Sequence, residues 1–179
     1  MSWNAKKIQG GGKAIPNLEQ GSYPGWLSKI YHIGLQERPA WKGEEKPPAT
    51  EVFLTYELAD EYMPDDEGGE DETKPRTMFE NFNVFSLKSE NAKSTERYYA
   101  FDPKDEADGE WSKLLGTPCM ITVVHNKGKG SNSGKVYDNV GSVSSMRAKD
   151  VKNLREPLIE QVFFDAHDPN MEVYDALPP

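Results

Sequence analysis

Thr50-Glu51-Val52-Phe53-Leu54-Thr55-Tyr56-Glu57-Leu58 opens a run that extends to Tyr62. It alternates between a face of Val52, Leu54, Tyr56 and Leu58 and a face of Glu51, Phe53, Thr55 and Glu57. Successive strand side chains point to opposite faces, so this two-residue period predicts a half-buried β-strand. Upstream, Ser22 to Ile33 is aromatic and β-branched, with rough alternation from Ser28 onward, and Pro24 suits a strand start or edge. Between the two runs, Arg38-Pro39-Ala40-Trp41-Lys42-Gly43-Glu44-Glu45-Lys46-Pro47-Pro48 is too rich in proline and charge to read as regular structure. Downstream, the acidic Asp65 to Glu72 predicts a solvated loop, and a third strand runs from about Arg76 to Phe85.

Helical patterning follows. Asn91 to Phe101 has the composition of a short helix that ends near Asp102-Pro103. A second is marked by Asp108 as N-cap, by Trp111, Leu114 and Leu115 at helical spacing, and by Gly116 at the position after the C-cap. Cys119 to Asn126 is the clearest strand, centred on Met120-Ile121-Thr122-Val123-Val124. A glycine-and-lysine loop, Lys127 to Lys135, joins it to a last strand from Val136 to about Met146. Three strands, a helical connection and a two-stranded hairpin predict a mainly β protein. The specific expectation is a five-stranded oligonucleotide-binding (OB) barrel whose helical connection lies between strands three and four. A sandwich or an unrelated α+β domain is the alternative. The expected organisation is a flexible N-terminal arm over 1–20, an OB domain over 21–148 and an acidic C-terminal tail over 149–179.

The 179 residues suit one domain, and 36% hydrophobic content is enough for one modest core. No apolar run is long enough to span a bilayer, and the lysine-bearing start, Met1 to Lys13, has no apolar stretch of a secretory signal. The single cysteine, Cys119, excludes an internal disulfide and suits a reducing compartment. The net charge of −9 is segregated, with ten Asp/Glu against one Lys/Arg over 51–74 and six against none over 156–179. Residues 120–155 carry seven Lys/Arg against two Asp/Glu. Polyanion binding depends on local potential, so the overall charge leaves DNA binding open.

Catalytic patterns are weak. Gly130-Ser131-Asn132-Ser133-Gly134-Lys135 fails the phosphate-loop spacing and is followed by Val136 rather than Ser or Thr. His32, His125 and His167 are widely separated, no paired-cysteine spacing exists, and contiguous acids lack the distinct environments that acid–base work requires. The reading is therefore of a protein with no catalytic residues, metal or cofactor. Single-strand binding needs ring faces for stacking and cations along the phosphates. Arg38, Trp41, Lys42 and Lys46 occupy the connection after strand one. Lys127, Lys129, Lys135 and neighbouring Tyr137 occupy the loop after strand four and its exit. Phe53 on strand two, with Arg76, Phe79 and Phe82 on strand three, completes the candidate set. Some of these aromatics must be core, and Trp41 could instead fold back as a lid. The tail alternates apolar and acidic residues: Phe163, Phe164, Asp165, Asp168, Glu172, Tyr174 and Asp175 are candidate anchors for a partner, or a competitor for DNA. The plainer reading is a solubilising terminus.

The chain resembles the single-stranded DNA-binding proteins encoded by tailed bacteriophages. The resemblance rests on Gly21-Ser22-Tyr23-Pro24, Arg38 to Pro48 as quoted, Thr55-Tyr56-Glu57-Leu58, Gly116-Thr117-Pro118-Cys119-Met120 and Asn126-Lys127-Gly128-Lys129-Gly130, and covers about 15–146. It implies an OB fold, protection of single strands during phage replication or recombination, and an acidic tail that recruits phage or host replication proteins. It places the protein in the cytoplasm of an infected bacterium, with no membrane partner. Many tails of that family end in Asp or Phe, whereas this sequence ends Ala176-Leu177-Pro178-Pro179, which weakens the carry-over of recruitment. Rival readings are a protein-interaction or virion structural module acting through the acidic loop and tail, a nuclease or nucleotide hydrolase, and a DNA mimic. Binding to duplex DNA stays open.

Overall fold

The computed structural model describes residues 15–176. Its centre is a six-stranded sheet of order β3-β2-β1-β4-β5, with a sixth strand added to β1. The strands are β1 Gly21–Trp41, β2 Glu44–Pro64, β3 Glu70–Val84, β4 Pro118–Lys127, β5 Val136–Ser145 and β6 Val162–Asp165. β1 to β5 pair antiparallel along that order, and β6 runs parallel to β1. The protein is thus mainly β. The expected closed five-stranded barrel is not what the ladders make: among the described residues none joins β3 to β5, so the sheet is open.

Two sets of contacts bridge that open seam. Helix α1, Lys93–Phe101, lies over one part of it. There Arg97 gives Nε and Nη2 hydrogen bonds to Glu80 of β3, at 2.7 and 3.2 Å, and a third to the Gly141 carbonyl of β5 at 3.3 Å. Ile15 to Gln20, expected to belong to a flexible arm, fills another part, while residues 1–14 of that arm lie outside the described residues. Leu18 is buried, its N–H donates to Asp138 at 2.9 Å, and Arg76 of β3 donates to the Pro16 carbonyl at 2.8 Å.

The inner faces follow the predicted alternation. Leu27 and Ile30, Val52, Leu54, Tyr56 and Leu58, Ile121 and Val123 meet in one core with Met78, Phe82, Tyr98 and Leu114. Each fully buried aliphatic side chain there contributes about 1.5–3 kcal/mol relative to exposure. Gly25 is needed where β1 crosses β2, because a Cβ would sit 2.2 Å from the Glu57 carbonyl oxygen. The second predicted helix is only a 3-10 turn, Trp111–Leu114. Asp108 has φ +54 and caps nothing; Glu110 takes that place, while Gly116 has the expected left-handed φ of +78.

Three predicted loops are more ordered than their composition suggests. Arg38 to Pro48 is a two-stranded ribbon that prolongs β1 and β2, closed at Lys42-Gly43 with φ +53 and +85. Positive φ at both central residues matches the tight hairpin turn whose twist suits antiparallel strands. Pro39, Pro47 and Pro48 fall within its register slips, where a missing N–H removes nothing from the ladder. In the acidic hairpin, Asp65 accepts the N–H groups of Glu67 and Gly69, both at 2.8 Å, and β3 has begun by Glu70. The Lys127–Lys135 loop is closed by Gly128 N–H to the Lys135 carbonyl and holds a 3-10 turn at Gly130–Asn132.

The tail does not stand apart. After α2, Ala148–Val151, the chain crosses the outward side of β2, where Glu57 is fully buried. Glu57 accepts from Arg155 Nη1 at 2.7 Å and from the Leu158 and Ile159 N–H groups at 2.8 and 2.9 Å. β6 then continues along the edge of β1 that β4 leaves free.

Glu80 and Arg97 make the seam testable. Burial pushes Glu80 up, but hydrogen bonds from Arg97, Lys93 and Tyr56, with the Arg97 charge, outweigh it and hold the carboxyl below its ordinary value. Its stabilising effect is therefore full above the unfolded carboxylate pKa and lost as pH falls through the lower folded value. Glu80→Gln removes the buried carboxylate partner of Arg97 and leaves it only the exposed Glu96, at 2.9 Å, so it should cost about 3 kcal/mol at pH 7. In urea unfolding, the gap between wild type and variant should narrow steadily below about pH 4.

Candidate nucleic-acid interface

The outward faces of β1, β2 and β3 are aligned in rows by the ladder register. Lys29 pairs with Thr55, and Thr55 with Phe79; Tyr31 pairs with Phe53, and Phe53 with Asn81. Phe79 is 75% exposed in the middle of its strand, with the small Thr55 beside it. Phe53 and Tyr31 are half-buried in the adjoining row, and the Asn81 side chain donates to Glu51. A large ring held out into water on a strand is an available stacking surface, because its backbone is fixed by the ladder to β2 and its face is largely uncovered.

A second cluster forms on the ribbon. Trp41 is 62% exposed, and the Lys46 ammonium lies 5.2 Å from its ring centroid. One slip nearer the body, the Arg38 guanidinium lies 5.5 Å from the Phe85 ring, itself exposed. Both are cation–π pairs, and among the described residues neither cation is in an ion pair with a carboxylate. Lys42 is exposed at the turn. Trp41 is therefore not a lid over the core.

The structure separates the other candidates. Phe82 is only 8% exposed and points into the core against Trp111, at 6.1 Å between ring centroids, so it offers no face to a base. Arg76 is engaged with the Pro16 carbonyl and Asp138 at the seam. Lys127, Lys129, Lys135 and Tyr137 are exposed, with Lys135 Nζ bonded to the Asn132 side chain at 3.1 Å. They sit beyond Gly21, which pairs with Val123, and so at the opposite end of β1 from Trp41. The two basic loops do not form one cluster. Tyr31, Lys29, Asn81 and Phe85 were not in the predicted set. The alternation of β1 from Ser28 placed Lys29 and Tyr31 on one face, but only the register sets them beside Phe53 and Thr55.

The tail residues are largely spoken for within the chain. Phe163 packs against the core, and Phe164 is 9% exposed with Tyr174 at 6.1 Å between centroids. Asp165 accepts from the His167 N–H at 2.9 Å and lies 2.6 Å from His32 Nδ1, while the His32 and His167 rings are 5.0 Å apart. Asp168, Glu172 and Asp175 are exposed. Helix α3, Met171–Asp175, is capped by Asn170 and borders a cleft of about 270 Å³ lined by Lys29, Tyr31, Glu160 and Glu172. The acids of the tail thus flank the β1 side of the outward face. Cys119 is fully buried, and burial pushes its thiol far up, which removes the thiolate a nucleophile needs at neutral pH.

No family model matches the chain, and no curated protein matches it.

The His32–Asp165 contact ties β6 to β1. Burial raises Asp165, but the hydrogen bonds from His32 and the His167 N–H and the nearby histidine charge bring it below its ordinary value. That contribution is present above the ordinary carboxylate pKa and lost as pH falls through the depressed one. Asp165→Asn should speed amide exchange in Val162–Asp165 at pH 7 while the exchange of β2 stays unchanged, as read by hydrogen–deuterium exchange.

Proposed function

We propose that this chain is a non-catalytic single-stranded DNA-binding protein built on an OB-type fold, acting in phage DNA replication or recombination. Support for the fold is the strand order β3-β2-β1-β4-β5 with α1 between β3 and β4 over the open seam. That order and the position of α1 are those expected of an OB fold, and on this reading the side chains at the seam stand in for the missing β3–β5 ladder. The observation that carries the function is Phe79, an exposed ring on the outward face of strands two and three, where OB folds receive oligonucleotides. Phe53, Tyr31 and Asn81 flank it, and Trp41, Phe85, Arg38, Lys42 and Lys46 supply a second group of rings and cations.

Stacking on protein rings requires bases free of their neighbours, so this chemistry favours single strands over duplex. The lysine loop at 127–135 adds positive potential at the far end of the sheet and serves either form. Recruitment of replication proteins is assigned to the tail's exposed Asp168, Glu172 and Asp175, because its two phenylalanines are engaged by the body. The tail also sets how competition with DNA has to be tested. Removing everything after Arg155 would strip the Leu158 and Ile159 N–H groups from Glu57 and uncover core. Neutralising Glu160 and Glu172 beside Lys29 isolates the charge effect without that damage.

Phe79→Ala should weaken binding of oligo-dT by about 1–3 kcal/mol, with log affinity falling against log salt by roughly 0.7 per phosphate contact. Binding should quench tryptophan fluorescence; in a Trp3→Phe background, which silences the one tryptophan outside the described residues, Trp41→Phe should remove most of that quenching, since Trp26 is buried and Trp111 half-buried. Glu160→Gln with Glu172→Gln should tighten binding at low salt. Unchanged affinity in Phe79→Ala, or no quenching at low salt, contradicts the proposal.

A further inference from the structure

The two aromatic groups are separate along one strand. Phe79 pairs with Thr55 and Trp41 pairs with Glu44, so the two stations are eleven residue steps apart along β2, from 44 to 55. At about 3.3 Å per residue that is at most about 36 Å of ribbon and sheet. The interval is not empty. Phe53 is on the outward face next to the Phe79 row, and Phe85, with Arg38 at 5.5 Å, follows Val84 opposite Thr50. Rings therefore recur from the body of the sheet to the tip of the ribbon.

Charge does not unite them. Over residues 37–46 the bases Arg38, Lys42 and Lys46 are matched by Glu37, Glu44 and Glu45. A phosphate chain gains little net attraction there, so the ribbon contributes chiefly through its ring faces. Each station alone is then a weak site. Linked through one ligand, the second contact becomes intramolecular and the combined affinity exceeds either by a factor of about 10² or more.

We infer, on the single-strand reading above, that one DNA strand bridges the Phe79 face and the Trp41 ribbon end, so that tight binding requires a strand long enough to reach both. A stacked strand advances about 3.4 Å per nucleotide, so the interval corresponds to about ten stacked nucleotides, and fewer when the bases are splayed onto protein rings. That lies within the roughly 4–16 nucleotides bound per OB fold. Trinucleotides engage one station or the other. Longer strands engage both.

The experiment measures affinities of the full chain, Phe79→Ala and Trp41→Ala for oligo-dT of three and of about 16 nucleotides at one low salt concentration, with circular dichroism confirming that the variants fold. The expected result is an advantage of the long oligonucleotide of about a hundredfold or more in the wild type. Either substitution alone should abolish most of that advantage, while changing trinucleotide affinity only about twofold, because the other station remains. A length advantage that survives either substitution overturns the bridge and leaves the DNA-binding reading standing. Failure of the wild type to bind the long oligonucleotide removes the reading itself, and the bridge with it.

Discussion

The Glu80–Arg97 pair sits where the backbone leaves the fold unfinished. An open sheet edge presents unpaired N–H and C=O groups, and in most β proteins closure or cover removes them. Here β3 and β5 are joined by a guanidinium that spans from the Glu80 carboxylate to the Gly141 carbonyl, with the Tyr56 hydroxyl donating to the same carboxylate at 2.7 Å. Two buried charges are stable only because each is paired and hydrogen-bonded. The consequence reaches the other side of the sheet. With α1 committed to the seam, no helix among the described residues covers the outward face of β2 and β3, and Phe79 is left in water.

β1 divides its edge among partners, and that division shapes the candidate interface. Its first residues pair with β4, Lys29 to His32 pair with β6, and the rest runs out with β2 as the ribbon. The slip between Leu27 and Lys29 marks the change of partner, with Leu27 held to Gly116 and Thr117 by backbone bonds of 2.8 and 3.0 Å. The C-terminal segment is consequently part of the body: Glu57 anchors it from the outward face, and it covers the β1 side of that face while leaving the β3 side open. Acids at Glu160 and Glu172 lie where a polyanion passing Lys29 would meet them, so the tail narrows the face as well as completing the sheet.

Much of this architecture was legible in the residues. The alternation of Val52, Leu54, Tyr56 and Leu58, and the apolar run at Met120–Val124, mark strands because burial of one face imposes a period of two. The ribbon was not legible, since its prolines and charges look like a loop and only the register shows that the prolines occupy slips in the ladder. Phe79 and Phe82 could not be told apart either. An inward-facing acid, Glu80, breaks the alternation between them, and its partner Arg97 is distant in sequence. The docking of the tail depends on Glu57, which reads as an ordinary outward carboxylate until Leu158 and Ile159 are seen to cap it. Closure of the seam by Leu18 and Asp138 is likewise a long-range fact with no local signal.

The central claim is that a single strand lies on the outward face of β2 and β3 and on the ribbon. Backbone amide shifts recorded while oligo-dT is titrated into the protein map that contact most directly. The account predicts perturbation concentrated at Phe53, Thr55, Phe79, Asn81 and Arg38 to Lys46, with β5 unaffected. Perturbation confined to Lys127–Lys135, or to the tail beyond Glu160, would contradict it.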